Sequence, residues 1–342
     1  MSSLSFSSIA VTTQRNCILP PTAPEYLKQV HSHSIPLFAN KESGLNCFEV
    51  QSQDGYVSIR MTDRTRVTRE NLDGFVSAVS TDGDNLLKKV FWNIRKVSNF
   101  YKEVFHYPLS PSSQNKTFRA VIHEGNGLVN TYWNPQDQTI HFGDGDAVYR
   151  NLPERLDVTA HELTHGLLDS FLPCEGETGT INEHLCDVMG ILIRFYDENK
   201  HSPIDEDWVI AKNFVEGRFP LRSFVNPGEA YDKCSIYQYR DAQVAHYAHR
   251  SMDASVNGGV HVNSGILNRA FYLFWKRIQP RGGAPWQMAG TVWFQTIAHI
   301  KNGGQCKSMR EFANLTVQAA VPLQDPILAA SLKDAWREVG VL

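Results

Sequence analysis

No stretch of this 342-residue chain is apolar and long enough to span a bilayer, so no membrane-spanning helix is expected. Charge of one sign is also missing. The 33 basic and 36 acidic residues leave a formal charge of −3, which gives no electrostatic reason to expect a nucleic-acid or anionic-membrane partner. Paired cysteines are absent. Cys17, Cys47, Cys174, Cys186, Cys234 and Cys306 stand singly, without the spacing of a zinc ribbon or a disulfide framework, so reduced thiols are expected. Met1 to Ala10 is rich in serine and has neither a basic flank nor a sustained apolar core. A classical secretion signal is therefore not expected, and the location implied is cytoplasmic, or exported without such a signal. There is no internal repeat. What remains is an ordinary globular composition, 42% hydrophobic, with length enough for about two domains.

The most informative segment is His161-Glu162-Leu163-Thr164-His165. On a helix, positions four apart lie on one face, so His161 and His165 can point two imidazoles at one metal ion. Zinc accepts such nitrogens and in catalytic sites keeps one position open for water. Glu162 can reach that water as a general base. Two histidines and a glutamate can also form an ordinary polar helix face, so a third ligand is needed. Downstream, Ile181, Leu185, Val188 and Leu192 recur at helical spacing and predict a buried amphipathic helix. Its other face carries Glu183 and Asp187. One carboxylate can bind zinc and the other can accept the free ring N–H of a ligand histidine. A solvated face is the plain alternative, but carboxylates on so apolar a helix need a buried partner. The loop from Pro173 to Gly179 lets the chain turn back between the two helices.

At this point the chain resembles the thermolysin family of zinc endopeptidases, and within it the protealysin-like members. The resemblance rests on Asn130-Thr131-Tyr132-Trp133-Asn134, Gly143-Asp144-Gly145-Asp146, the segment from Asp157 to His165, and the helix with Asn182-Glu183 and Asp187. It continues through Leu221-Arg222-Ser223, Asn257 to Gly265, and Asp334 to Val341. It runs in order from about residue 65 to the C-terminus. Aminopeptidases with a related metal motif fit less well, because no Gly-x-Met-Glu-Asn segment is present. The resemblance implies His161, His165 and Glu183 as zinc ligands, Glu162 as general base, and Asp187 as the carboxylate orienting a ligand histidine. It implies His261 as the histidine that stabilises the tetrahedral intermediate and Asn130 and Arg222 as holders of the substrate backbone. Tyr149, Val158 and Leu221 would form an apolar pocket for the residue after the scissile bond. The expected activity is hydrolysis of peptide bonds on the amino side of apolar residues, by a zinc-activated water with Glu162 as base.

Three departures from the family pattern stand out. Val256 occupies the place of the aspartate that partners the catalytic histidine, with Asp253 as a weak candidate substitute. No tyrosine lies between His165 and Glu183 to stabilise an oxyanion; Cys174 sits near that place, and a thiol is a weak donor. The double calcium site is dismantled: Asp157 remains, but Arg194, Val209 and Lys212 replace acidic ligands. Calcium needs several oxygen ligands, so none is expected there. Arg194 either pairs directly with Asp157 or lies on the surface. These departures keep open a second reading, a weakened zinc-binding pseudoenzyme that binds peptides or a partner protein.

The expected fold is α+β and two-lobed, a mixed α/β N-terminal lobe and an α-helical C-terminal lobe with the zinc site in the cleft. Residues 1–50 read as a pro-segment, 51–178 as the first lobe with the metal helix, and 179–342 as the helical lobe. Cys17-Ile18-Leu19-Pro20-Pro21 and Tyr26-Leu27 resemble the short pro-segment of protealysin-like proteins. Such a segment would cover the cleft, and Cys17 as a zinc thiolate is an idea set against a plain two-proline turn. Alternation around Asp54-Gly55 predicts a hairpin. Asp82-Gly83-Asp84-Asn85 reads as the cap of a helix from Leu86 to Phe105 rather than as a calcium loop. Phe118 to His123 and Thr139 to Phe142 read as strands. Helices are predicted for Ser264 to Ile278, Trp286 to Ile300, Met309 to Ala320 and Ile327 to Glu338. Cys186 reads as a core cysteine, His246 and His249 as surface positions, and Asn257-Gly258-Gly259 as a close backbone approach at the cleft.

Overall fold

The computed structural model describes residues 47–53, 56–61, 85–107, 109, 117–122, 128–136, 138–143, 145–146, 148–149, 152–234, 240–253 and 259–342. Residues 1–46 of the pro-segment, Cys17 among them, the turn Asp54-Gly55, the cap Asp82-Gly83-Asp84, His123, Asp144, Val256 and Asn257-Gly258 lie outside them.

The N-terminal part holds a five-stranded sheet in the order β2-β1-β3-β5-β4. Strands β1 (Cys47–Gln53) and β2 (Tyr56–Met61) form the hairpin expected from their alternation, with Gln53 opposite Tyr56. Strand β3 (Thr117–Val121) pairs antiparallel with β1 and parallel with β5 (Thr139–Phe142), and β4 (Thr131–Asn134) runs antiparallel to β5. Helix α1 (Asn85–Phe105) precedes β3 and packs its apolar stripe, including Ile94, Val97 and Phe100, into the core.

Helix α2 (Leu156–Leu168) carries the histidine pair and is buried on nearly every side. It can be so because its neighbours come unusually close. A Cβ added at Gly166 would lie 2.8 Å from the Trp133 ring of β4, and one at Gly190 would lie 2.7 Å from the Asp157 carbonyl. Helix α3 (Gly176–Asp197) crosses α2 at that second point. It starts three residues earlier than the loop reading placed it. Gly176 takes a positive φ of 57° and the Thr178 hydroxyl donates to the Glu175 carbonyl at 2.7 Å, which closes the first turn at once.

The remainder is helical, as expected. The two-residue strands β6 (Val209–Ile210) and β7 (Arg222–Ser223) pair antiparallel. Then follow α4 (Val260–Ile278), α5 (Ala289–Lys301), α6 (Met309–Ala320) and α7 (Pro326–Glu338). Helix α4 begins four residues before the predicted start because Gly259, at φ 72°, supplies a left-handed cap. This puts His261 in its first turn. Helix α5 begins three residues late, after a turn at Ala284 to Gln287. The core of this lobe is aromatic, with Trp293 ringed by Phe271, Phe274, Phe312 and Trp336 at centroid distances of 4.6 to 6.4 Å. Cys186 and Cys306, both buried, are free thiols. His246 and His249 lie in and beside a 3-10 turn, their rings 5.9 Å apart.

Candidate active site

Helical spacing does bring the two histidines together. His161 Nε2 and His165 Nε2 are 3.1 Å apart, and Glu183 of α3 closes the group, with Oε2 3.4 Å from His161 Nε2 and Oε1 3.5 Å from His165 Nε2. Zinc at about 2.0–2.1 Å from each donor in a tetrahedron needs donor–donor edges of about 3.3–3.5 Å. The three groups therefore fit one face of such a tetrahedron. Glu162 Oε1 is buried and has no hydrogen-bond partner among the described residues, a state that a cation and its water would relieve. All four side chains are fully or almost fully buried.

Cys186 Sγ also lies within 4.8 Å of the two histidine nitrogens. Burial, and next the Glu183 carboxylate, push its thiol well above the ordinary value. A neutral thiol is a poor ligand beside a carboxylate whose oxygens already sit at tetrahedral edge length, so Glu183 is the better third donor.

Each donor is oriented from behind. His161 Nδ1 donates to Asp187 Oδ1 at 2.9 Å, leaving Nε2 free. Asp187 is itself held by Arg222 Nη1 at 2.5 Å and by Asn268 Nδ2 at 2.8 Å. His165 Nδ1 meets Asn182 Oδ1 at 2.8 Å, and Asn182 Nδ2 donates to the Leu172 carbonyl at 2.7 Å. The roles of Asn182 and Asn268 were not visible in the sequence, because a lone asparagine on an apolar helix carries no signature of its partner.

The electrostatics follow from burial and these partners. Burial opposes charge on His161, but the hydrogen bonds to Asp187 and Glu183 outweigh it and lift the imidazole to about 9. Burial takes His165 down to about 3. Burial also works against charge on Glu183, yet the neighbouring histidines hold its carboxyl well below the usual range. The Glu162 carboxyl is pushed up to about 8 by burial, against the pull of His161. Those are the effects of the protein groups alone; a divalent cation between the histidines would bring Glu162 down toward neutrality, where a general base is most effective. Burial takes His184, next to Glu183, down to about 4.

The other expected residues are near. His261 Nδ1 is 3.0 Å from Glu183 Oε2, and Arg222 Nη2 is 3.4 Å from the same nitrogen. His261 is thus faced by Glu183 and Arg222, while Asp253 is exposed and its backbone N–H bonds to the Ser251 hydroxyl. Gln243, which sequence reasoning missed, donates to the His261 carbonyl and to Ser264 Oγ, both at 3.0 Å. Glu162 Oε2 accepts from the Trp133 backbone N–H at 2.8 Å, so strand β4 holds the carboxylate. Asn130, just before β4, is buried and its Oδ1 accepts from Thr131 N. Tyr149, Val158 and Leu221 are all buried; the Tyr149 ring lies 5.3 Å from that of Phe214, tilted by 35°. An open cavity of about 410 Å³ lined in part by Phe219, Pro220, Ser223 and Lys233 lies next to Leu221 in sequence and includes none of the metal-facing side chains. Cys174 Sγ is 4.0 Å from His165 Nδ1, behind the donor face.

Arg194 forms the buried pair with Asp157 rather than lying on the surface. Its Nε is 3.4 Å from Asp157 Oδ2, and its Nη2 donates to the carbonyls of Asp207 and Val209 at 2.6 and 2.9 Å.

A mixed sheet lobe, a helical lobe and a His-Glu-His face between them define a zinc-metallopeptidase architecture. The thermolysin metallopeptidase catalytic-domain model matches residues 42–169, and the thermolysin metallopeptidase alpha-helical-domain model matches 170–341. The chain belongs to the thermolysin family and is a thermolysin-like metalloendopeptidase. It is 33% identical over 269 residues to Protease PrtS of Photorhabdus, covering 76% of this chain and 70% of that protein. It is 32% identical to an extracellular metalloprotease of Pectobacterium carotovorum, over 76% of this chain and 74% of that one. Among solved structures, the protealysin precursor from Serratia proteamaculans superimposes with a TM-score of 0.70 at 25% identity, covering 96% of this chain and all of that one.

Proposed function

We propose that this peptidase hydrolyses peptide bonds on the amino side of apolar residues, with His161, His165 and Glu183 holding zinc and Glu162 as general base. The observation that carries the reading is the state of Glu162. One carboxylate oxygen is fixed by β4 and the other is buried with no partner among the described residues, next to the three-donor face. A purely binding site has no use for such a group, and the protease relatives do not favour the pseudoenzyme reading.

Zinc held there supplies Lewis acidity toward the scissile carbonyl and lowers the pKa of a water. Glu162 accepts a proton from the attacking water and delivers it to the leaving amine. Asp187 and Asn182 keep the two imidazoles in the tautomer that leaves Nε2 available. His261, beside Glu183, donates to the oxyanion as it forms, and Asn130 and Arg222 hold the substrate backbone. Asp187 keeps the Arg222 fork in place through the 2.5 Å pair. The charge of Arg194 stands in for calcium beside Asp157.

Residues 1–50 are assigned as a pro-segment, 51–178 and 179–342 as the two lobes. Similarity to a precursor over its full length supports that assignment, and the name of the extracellular Pectobacterium relative supports action outside the cell on protein substrates. Among the described residues no helix is long and apolar enough to cross a membrane.

Two measurements test this reading. Reporter peptides that differ only after the scissile bond should show leucine or phenylalanine preferred over aspartate by about a hundredfold in kcat/KM, because a carboxylate would be buried among Tyr149, Val158 and Leu221. Equal rates would remove these residues from the pocket. Zinc affinity should rise between pH of about 6 and 8, by up to about tenfold per unit, because His161, raised to about 9, must give up a proton to bind. A pH-independent affinity over that range would mean that His161 is not a ligand.

A further inference from the structure

Trp293 sits in the aromatic core of the helical lobe, yet its indole is one end of a hydrogen-bonded line that reaches the metal-facing helix. Its Nε1 donates to His184 Nε2 at 2.8 Å, and His184 Nδ1 meets Asn268 Oδ1 at 2.8 Å. Asn268 Nδ2 donates to Asp187 Oδ2 at 2.8 Å, and Asp187 Oδ1 accepts from His161 Nδ1 at 2.9 Å. All five side chains have no exposed surface, so water cannot replace a missing partner.

The direction of every bond follows from the two ends. Indole N–H can only donate, so His184 Nε2 accepts, His184 Nδ1 carries the hydrogen, and Asn268 turns its oxygen to it. From the other end, a carboxylate paired to Arg222 can only accept, so Asn268 must turn its amide nitrogen toward Asp187. Both ends demand the same orientation of one amide. Reversing any member would place oxygen against oxygen, or N–H against N–H, in a dry interior.

We propose that Trp293, His184 and Asn268 are positioning residues that fix the Nδ1–H tautomer of His161, and so the availability of Nε2 to the metal, from within the helical lobe. This rests on His161 being a zinc ligand, as proposed above. Removing the indole N–H leaves His184 Nε2 without a donor in a dry interior and removes one of the two ends that hold the Asn268 amide. The second hydrogen bond to Asp187 then rests on the carboxylate end alone and is held less firmly.

The test compares Trp293→Phe and Asn268→Leu with Trp336→Phe. Trp336 stacks 6.2 Å from Trp293 in the same core, but its Nε1 donates to Thr316 Oγ1 and is not on the line. Zinc affinity is measured by chelator competition, and the visible spectrum of the cobalt-substituted protein reports ligand geometry. Asn268→Leu should weaken zinc about 10- to 100-fold and Trp293→Phe about tenfold, each with an altered cobalt spectrum; Trp336→Phe should change neither. Asn268→Ser, which restores a donor to Asp187, should recover part of the affinity. His184→Phe supplies the second break if Asn268→Leu does not fold. Folded variants with wild-type affinity and spectrum, in a wild-type protein that binds zinc, would overturn the line alone. A wild-type protein that binds no zinc would overturn both the line and the ligand set on which it rests.

Discussion

Glu162→Gln is expected to keep stoichiometric zinc and to lower peptide hydrolysis by about a thousandfold or more. Glutamine has the shape of glutamate, and its amide oxygen can still accept from Trp133 N, so the side chain stays where β4 holds it. The zinc donors proposed are His161, His165 and Glu183, none of which changes. What disappears is the capacity to take a proton. General acid–base catalysis contributes about 10²–10⁴, and a group that both takes the proton from water and returns it to the amine falls toward the upper end. Removing the charge also removes one buried carboxylate near Glu183, so zinc affinity should not collapse. The checks are zinc content, kcat on an apolar reporter peptide, and the N-terminal sequence after incubation. Full-length Glu162→Gln should keep residues 1–50 under conditions in which the wild-type protein removes them. Activity within about tenfold of wild type would remove Glu162 from the mechanism. Loss of zinc would make it a structural residue instead.

The site was legible in sequence where its parts are local. His161 and His165 lie on one helix four apart, as do Glu183 and Asp187, and helical geometry alone says that each pair shares a face. Which carboxylate turns toward the Nε2 atoms of His161 and His165 is left open by spacing and follows from the crossing of α2 and α3, set by Gly190 against Asp157. His261 and Arg222 came only through family resemblance, because nothing in their neighbours announces a partner 39 residues away. Asn268 and Trp293 bond to partners 81 and 109 residues distant, and no periodicity reports a hydrogen bond between helices. The fold shows the same division. The β1–β2 hairpin, β5 and the last helices follow from alternation and helical spacing. The parallel pairing of β3 with β5 depends on contacts between segments, and helix starts at Gly176 and Val260 depend on positive-φ glycines that the hydrophobic pattern does not reveal.

The largest stability effect is expected at Arg194. Asp157 opens the helix that carries both histidines and is buried; its Oδ2 accepts from Ala211 N at 3.0 Å and its Oδ1 from Val158 N at 3.0 Å. Burial raises its carboxyl, and the Arg194 guanidinium is the largest influence pulling it back. Arg194→Met keeps much of the volume but strands that carboxylate and the carbonyls of Asp207 and Val209. Breaking a buried pair from one side costs about 3–5 kcal/mol, and at this size that lowers Tm by on the order of 10 °C. The effect carries a pH signature. Without the guanidinium the folded-state carboxyl rises further above its unfolded value, so the penalty is full at neutral pH and shrinks as pH falls through that raised value and the group takes up a proton. Glu198, at 3.7 Å from Nη1, is half exposed and contributes little. The same geometry predicts that wild-type Tm is indifferent to millimolar calcium or to a calcium chelator, because the guanidinium already supplies positive charge beside Asp157. Arg194→Glu should make Tm rise with calcium, since two carboxylates and the Asp207 and Val209 carbonyls would then face a cation. A wild-type Tm that climbs several degrees with calcium would show that the guanidinium is not a substitute for the ion. A wild-type Tm that does not, together with calcium rescue of Arg194→Glu, would mean that one side chain of α3 has replaced a bound ion in anchoring the first turn of the metal-facing helix.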